Sequence, residues 1–99
     1  MKIFTTNEIT QIVSNNLIID FSNFSYKLYG KSLKNNQHRL KYIFTNQMIC
    51  PYSDVEKKKL FLEYLKEAFK DSNIEYFDIV KNTSEYYKYN FLRIIYKKI

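Results

Sequence analysis

The side chain best suited to move protons near neutral pH is His38, which sits among Lys34, Arg39, Lys41 and Tyr42. One general acid–base beside cations that stabilise a scissile phosphate is a minimal ribonuclease chemistry. The competing reading is a surface imidazole in a basic strand. Cys50 is the sole cysteine, twelve residues from His38 and next to Pro51. No histidine or lysine cluster adjoins it to lower its pKa, so it reads as a buried loop thiol. It also excludes an internal disulfide and fits a reducing compartment. His38 and Cys50 alone cannot build a zinc site, and neither Cys-x-x-Cys nor His-Glu-x-x-His occurs. A single glycine excludes the phosphate-cradling loops of P-loop and dinucleotide enzymes. The chain is therefore expected to be no enzyme, with no metal and no small-molecule cofactor.

Binding chemistry is better represented. The net charge is +6, with +4 carried by residues 1–50 and +2 by residues 51–99. Lys27, Lys31, Lys34, Arg39 and Lys41 form one basic patch, with no acid between Asp20 and Asp54. Lys88, Arg93, Lys97 and Lys98 form a second after the last acid, Glu85. Tyr26, Tyr29 and Tyr42 are interleaved with the first patch, and Tyr86, Tyr87 and Tyr89 flank Lys88. Rings can stack on unpaired bases while cations track phosphates. Tyrosines also anchor protein interfaces, burying large area at low rotamer cost. The candidate binding residues are Tyr26, Tyr29, Lys31, Lys34, Arg39 and Lys41 in the first patch, and Tyr87, Tyr89 and Arg93 in the second.

These residues need elements to hold them. Thr6 reads as the cap of a short helix with Ile9, Ile12 and Val13 on one stripe, ending at Asn15-Asn16. Leu17-Ile18-Ile19 suits a brief strand. Residues 21–33 read equally as a helix ending at Gly30 and as a hairpin. Arg39 to Thr45 alternates Leu40, Tyr42 and Phe44 against Arg39, Lys41 and Ile43, a half-buried strand with a basic wet face. Ser53 and Glu56 make a capping box for a helix running to Asp71. Phe61, Leu62, Leu65, Ala68 and Phe69 share its inner arc, and Glu56, Lys59, Glu63, Lys66, Glu67 and Lys70 its outer one. That outer arc is neutral, as a solvated helix face is. Ile74 to Val80 and Tyr86 to Ile99 alternate as strands around a turn at Asn82-Thr83-Ser84, with a helical periodicity through Tyr87, Phe91, Ile94 and Ile95 as the rival reading of the last segment. The expected architecture is a single compact α+β domain over residues 1–99. In it a small antiparallel sheet packs against one long amphipathic helix, with a short N-terminal helix beside it.

Composition sets the biological frame. Lys outnumbers Arg 14 to 2, and Ile, Asn, Tyr and Phe are abundant while Gly, Pro and Ala occur once each. All the abundant types use A/T-rich codons, which points to an A/T-rich genome such as that of a virus or mobile element. No run of eighteen apolar residues exists, and Met1 to Glu8 carries no leader pattern. A soluble cytoplasmic protein that does not engage membranes is expected. The leading functional expectation is a small basic binding protein, for example an inhibitor. It would engage a host protein through its tyrosines, or form a homodimer through the last strand. Single-stranded or duplex nucleic-acid binding is the alternative, including a helix-turn-helix made from residues 6–15 and 21–33. A third alternative is a small ribonuclease toxin using His38. Such basic α+β toxins share this size and often end in a strand rich in Tyr and Arg, which Tyr89 to Lys97 resembles in composition alone.

Overall fold

The computed structural model describes residues 1–16, 26–44, 55–83 and 88–98. Its elements are helix α1 (Thr6–Asn15), strands β1 (Tyr26–Ser32) and β2 (Gln37–Phe44), helix α2 (Val55–Ala68), and strands β3 (Ile74–Thr83) and β4 (Lys88–Lys97). The cap of α1 lies one residue earlier than expected. Thr5 Oγ1 accepts from the Glu8 N–H and Glu8 Oε1 accepts from the Thr5 N–H, both at 3.2 Å. This reciprocal pair satisfies donors that the first helical turn leaves over. Asn35 and Asn36 both take left-handed backbone (φ 60° and 62°), the conformation that matches a tight hairpin to the twist of its strands. They join β1 to β2, which resolves residues 26–32 as strand and removes the second helix of a helix-turn-helix. The expected strand at Leu17-Ile18-Ile19 and the Ser53 cap fall outside the described residues.

All three pairings are antiparallel, in the order β1-β2-β4-β3. Both helices cover one face. Ile9 and Val13 of α1, and Phe61 and Leu65 of α2 with Phe69 just beyond it, bury against Leu40, Tyr42, Ile79, Leu92, Ile94 and Tyr96. The period-two alternation of the strands puts those residues on one side. Two threonines one helical turn apart fix α1 on the sheet. Thr6 Oγ1 meets Tyr96 Oη at 2.6 Å and Thr10 Oγ1 meets Tyr42 Oη at 2.8 Å. The Thr10 hydroxyl donates its proton to the Thr6 carbonyl (2.9 Å), so Tyr42 must be the donor in its pair.

Asn73 closes the far end of the sheet. Its Oδ1 accepts from the Phe4 N–H at 2.8 Å, and its Nδ2 donates to the Phe4 and Lys97 carbonyls at 3.0 and 2.9 Å. Buried to 4% exposure, it ties the N-terminal segment to the start of β3 and the end of β4.

The architecture corrects the expectation of a sheet organised by one long amphipathic helix. The sheet dominates, with strands of 7, 8, 10 and 10 residues. Among the described residues the helix expected over residues 53–71 runs from Val55 to Ala68. Its C-terminal limit has a local cause: Asp71 adopts φ 53° and Ser72 Oγ donates to the Phe69 carbonyl, turning the chain into β3. Leu60 and Tyr64 are exposed on the outer side of α2, so apolar and polar residues are less cleanly segregated there than along α1. The class is mostly sheet. The last strand, β4, is not at the margin of the sheet. It lies inside the sheet with β2 and β3 on either side, so its hydrogen-bonding edges are both occupied. Among the described residues no helix is long and apolar enough to cross a membrane.

Candidate functional site

The face of the sheet opposite the helices carries the residues of interest. Register aligns its side chains in three rows across the strands. The middle row is Tyr29, Lys41, Arg93 and Asp78; one flanking row is Lys31, Arg39, Ile95 and Tyr76; the other is Lys27, Ile43, Phe91 and Val80. Neighbouring strands lie about 4.8 Å apart, so each row spans roughly 14 Å. Lys27, Lys31, Arg39, Lys41 and Arg93 stand on this face with Asp78, and at its end Lys97 pairs with Gln37, whose Nε2 donates to the Glu75 carboxylate. The Lys41 ammonium lies 4.3 Å from the centroid of the Phe91 ring, and the Arg93 guanidinium 5.6 Å from that of Tyr76. Both are cation–π distances. Tyr29 is 54% exposed and Tyr76 43%, leaving two ring faces at opposite sides of the sheet.

Arg93 and Asp78 are directly cross-strand partners, yet no ion pair joins them among the described residues. Asp78 is held elsewhere, by the Ile79 N–H on Oδ1 (2.7 Å) and the Tyr76 hydroxyl on Oδ2 (3.1 Å). Arg93 Nε is buried and has no hydrogen-bond partner. An unpaired buried donor on a cation is costly.

Of the residues singled out from the sequence, the sheet brings Tyr29, Lys31, Arg39, Lys41 and Arg93 onto this one face. Tyr26 lies on the helix side, its ring 5.7 Å from that of Tyr42. Lys34 is at the start of the β1–β2 turn, where its carbonyl accepts from the Gln37 N–H. Tyr89 pairs with Asn82 in the β3–β4 ladder, and Tyr87 lies outside the described residues. Lys27, read from the sequence as part of the first basic patch, also joins this face, whereas sequence reasoning missed Tyr76 and Phe91. Their signal was the period-two alternation of β3 and β4, even-numbered in the one and odd-numbered in the other, which becomes readable only once the register is known.

His38 is not part of this face. It lies on the helix side, edge-on to Tyr96 at 5.4 Å, with Nδ1 a long 3.4 Å from Ser32 Oγ. Burial, and secondarily the Lys98 ammonium, hold its pKa below the ordinary imidazole value. Gly30 makes room for it: a Cβ there would stand 2.9 Å from His38 Nε2. The imidazole and the cations of Arg39 and Lys41 therefore point to opposite sides of the sheet. No group of three or more metal-ligating side chains occurs among the described residues.

Comparison with protein-family models, with curated proteins and with solved structures gives no match.

Proposed function

We propose that the protein binds single-stranded nucleic acid across the open face of its sheet, without catalysis. The observation that carries this reading is Arg93, a guanidinium left without its cross-strand carboxylate in the middle of a cationic face. Phosphates of an extended strand would run past Arg93, Lys41, Arg39 and Lys31, while Tyr29 and Tyr76 offer stacking platforms. Duplex reading is poorly supported. Grooves are read by helices or ribbons carrying donors to base edges, and the exposed side of α1 presents Asn7, Glu8, Gln11, Ser14 and Asn15, with no cation.

The test is fluorescence anisotropy of a labelled oligothymidylate with the wild-type protein and a Lys31→Ala, Arg39→Ala, Lys41→Ala variant. The variant loses affinity by roughly one to two orders of magnitude at low salt. Equal affinity in the two proteins, with the variant folded by circular dichroism, contradicts the assignment.

A further inference from the structure

A second surface adjoins the cationic face at Tyr76, where α2 runs beside the outer edge of β3. Two hollows open there. One, of about 400 Å³, is lined by Lys58, Lys59, Leu62, Glu63, Lys66 and Phe77. The next, of about 450 Å³, shares Lys66 and Phe77 and adds Phe69, Lys70, Ile74, Glu75 and Tyr76. Tyr76 and Phe77 are consecutive in a strand and so project to opposite faces, yet both line the second hollow. The hollow must therefore wrap the strand's outer edge. Because the two hollows share residues, they form one groove along it.

β3 ends the sheet, and among the described residues no strand pairs with its outer side from Tyr76 onward. The Ile79 N–H bonds the Asp78 carboxylate rather than β4, so it points to that outer side. By strand alternation the backbone groups of Phe77 point the same way. The groove thus combines outward-facing backbone groups of Phe77 and Ile79, of which the Ile79 N–H is held by Asp78, with an apolar floor of Leu62, Phe69, Ile74 and Phe77 and a basic rim. The rim holds Lys58, Lys59, Lys66 and Lys70, with Glu63 and Glu75 as its acids; Glu75 accepts a hydrogen bond from Gln37 Nε2 at 2.9 Å.

We propose that this groove takes an extended acidic peptide as an added strand on β3. Its backbone pairs with Phe77 and Ile79, an apolar side chain enters each hollow, and its carboxylates reach the lysine rim. Strand addition beside a helix uses main-chain bonds for affinity and pockets for selectivity. A nucleic-acid strand is the poorer occupant, because it has no backbone donors and acceptors spaced to continue a β-ladder. This inference does not depend on the reading of the cationic face.

The probe is a short acetylated and amidated polyglutamate peptide carrying two valines at alternate positions. In a titration followed by amide NMR, the Ile74, Phe77 and Ile79 signals shift and those of Lys31 and Arg39 do not. A Lys66→Glu, Lys70→Glu variant, both sites exposed, binds the peptide roughly tenfold more weakly. Its oligothymidylate affinity changes far less. Asp78→Ala, which uncovers the Ile79 N–H, tightens peptide binding. Methylating the peptide nitrogens between the valines abolishes it. No binding at millimolar peptide, shifts centred on the cationic face, or full affinity of the methylated peptide each overturns the proposal.

Discussion

Arg93 on β4 and Asp78 on β3 stand directly opposite one another on the open face of the sheet, and they do not pair. The carboxylate is turned to the strand edge by Ile79 and Tyr76, while Arg93 Nε stays buried without a partner. Two opposite charges in register usually find each other. Here the field of the guanidinium is left available to a ligand. Arg93→Ala is expected to weaken oligothymidylate binding roughly tenfold, and Arg93→Lys to recover only part of it, since an ammonium is a point charge without the planar fork. Asp78→Ala removes the carboxylate opposite Arg93 and strengthens binding. Anisotropy titrations of the three variants check this, and an unchanged affinity for Arg93→Ala contradicts it.

Tyr29 is half exposed in the middle row, beside Lys41. Base stacking on such a ring contributes about 1–3 kcal/mol. Tyr29→Ala is expected to lose binding by that amount and Tyr29→Phe to keep most of it, because stacking needs the ring and not the hydroxyl. If the hydroxyl alone matters, the two variants behave alike.

The Tyr42 phenol is pushed up to about 12 from its ordinary 10.0. Burial is the main cause; Thr10 opposes it, and Tyr26 and Tyr96 add to it. The folded state holds this proton more tightly than the unfolded chain. Its contribution to stability is complete below pH 10 and falls away as the pH rises through about 12. Urea denaturation of the wild type across that window should show the decline, and Tyr42→Phe should lack this component of it. Thr10→Val, which leaves the buried Tyr42 hydroxyl without an acceptor, costs about 1–3 kcal/mol; Tyr42→Phe costs less. A pH profile identical in the wild type and Tyr42→Phe rules out this account of the phenol.

Asn73 joins three segments through its side chain, so Asn73→Ala should cost about 2–4 kcal/mol. Asn73→Asp retains an acceptor for the Phe4 N–H but sets a carboxylate against the Phe4 and Lys97 carbonyls, and is expected to fare no better. Midpoints of urea unfolding distinguish these outcomes from a residue whose loss is tolerated.

Much of the sheet is legible in the sequence because its interior strands are buried on one side. Leu40 and Tyr42 alternate with Arg39 and Lys41, and Leu92, Ile94 and Tyr96 with Arg93 and Ile95, so burial wrote a period of two into both strands. β1 carries no such mark. Every residue from Tyr26 to Ser32 is exposed, and with neither face against a core its composition is free of the constraint that reveals a strand. Its identity rests on the turn at Asn35 and Asn36. Strand order is a different matter, since alternation says nothing about neighbours. That β4 runs between β2 and β3, and so delivers Arg93 beside Lys41, is a non-local result. The orphaning of Arg93 depends in turn on hydrogen bonds made by Asp78 and Tyr76, which no pattern in the chain announces.

The dependence of oligothymidylate affinity on salt measures the cationic face most directly. Each phosphate neutralised on a single strand contributes a slope of about −0.7 to log K against log salt concentration. Three or four contacts from Lys31, Arg39, Lys41 and Arg93 predict a slope of roughly −2 to −3 for the wild type, and one near zero for the protein lacking all four cations. A wild-type slope near zero, or a steep slope that survives removal of those four side chains, contradicts the assignment of nucleic-acid binding to this face.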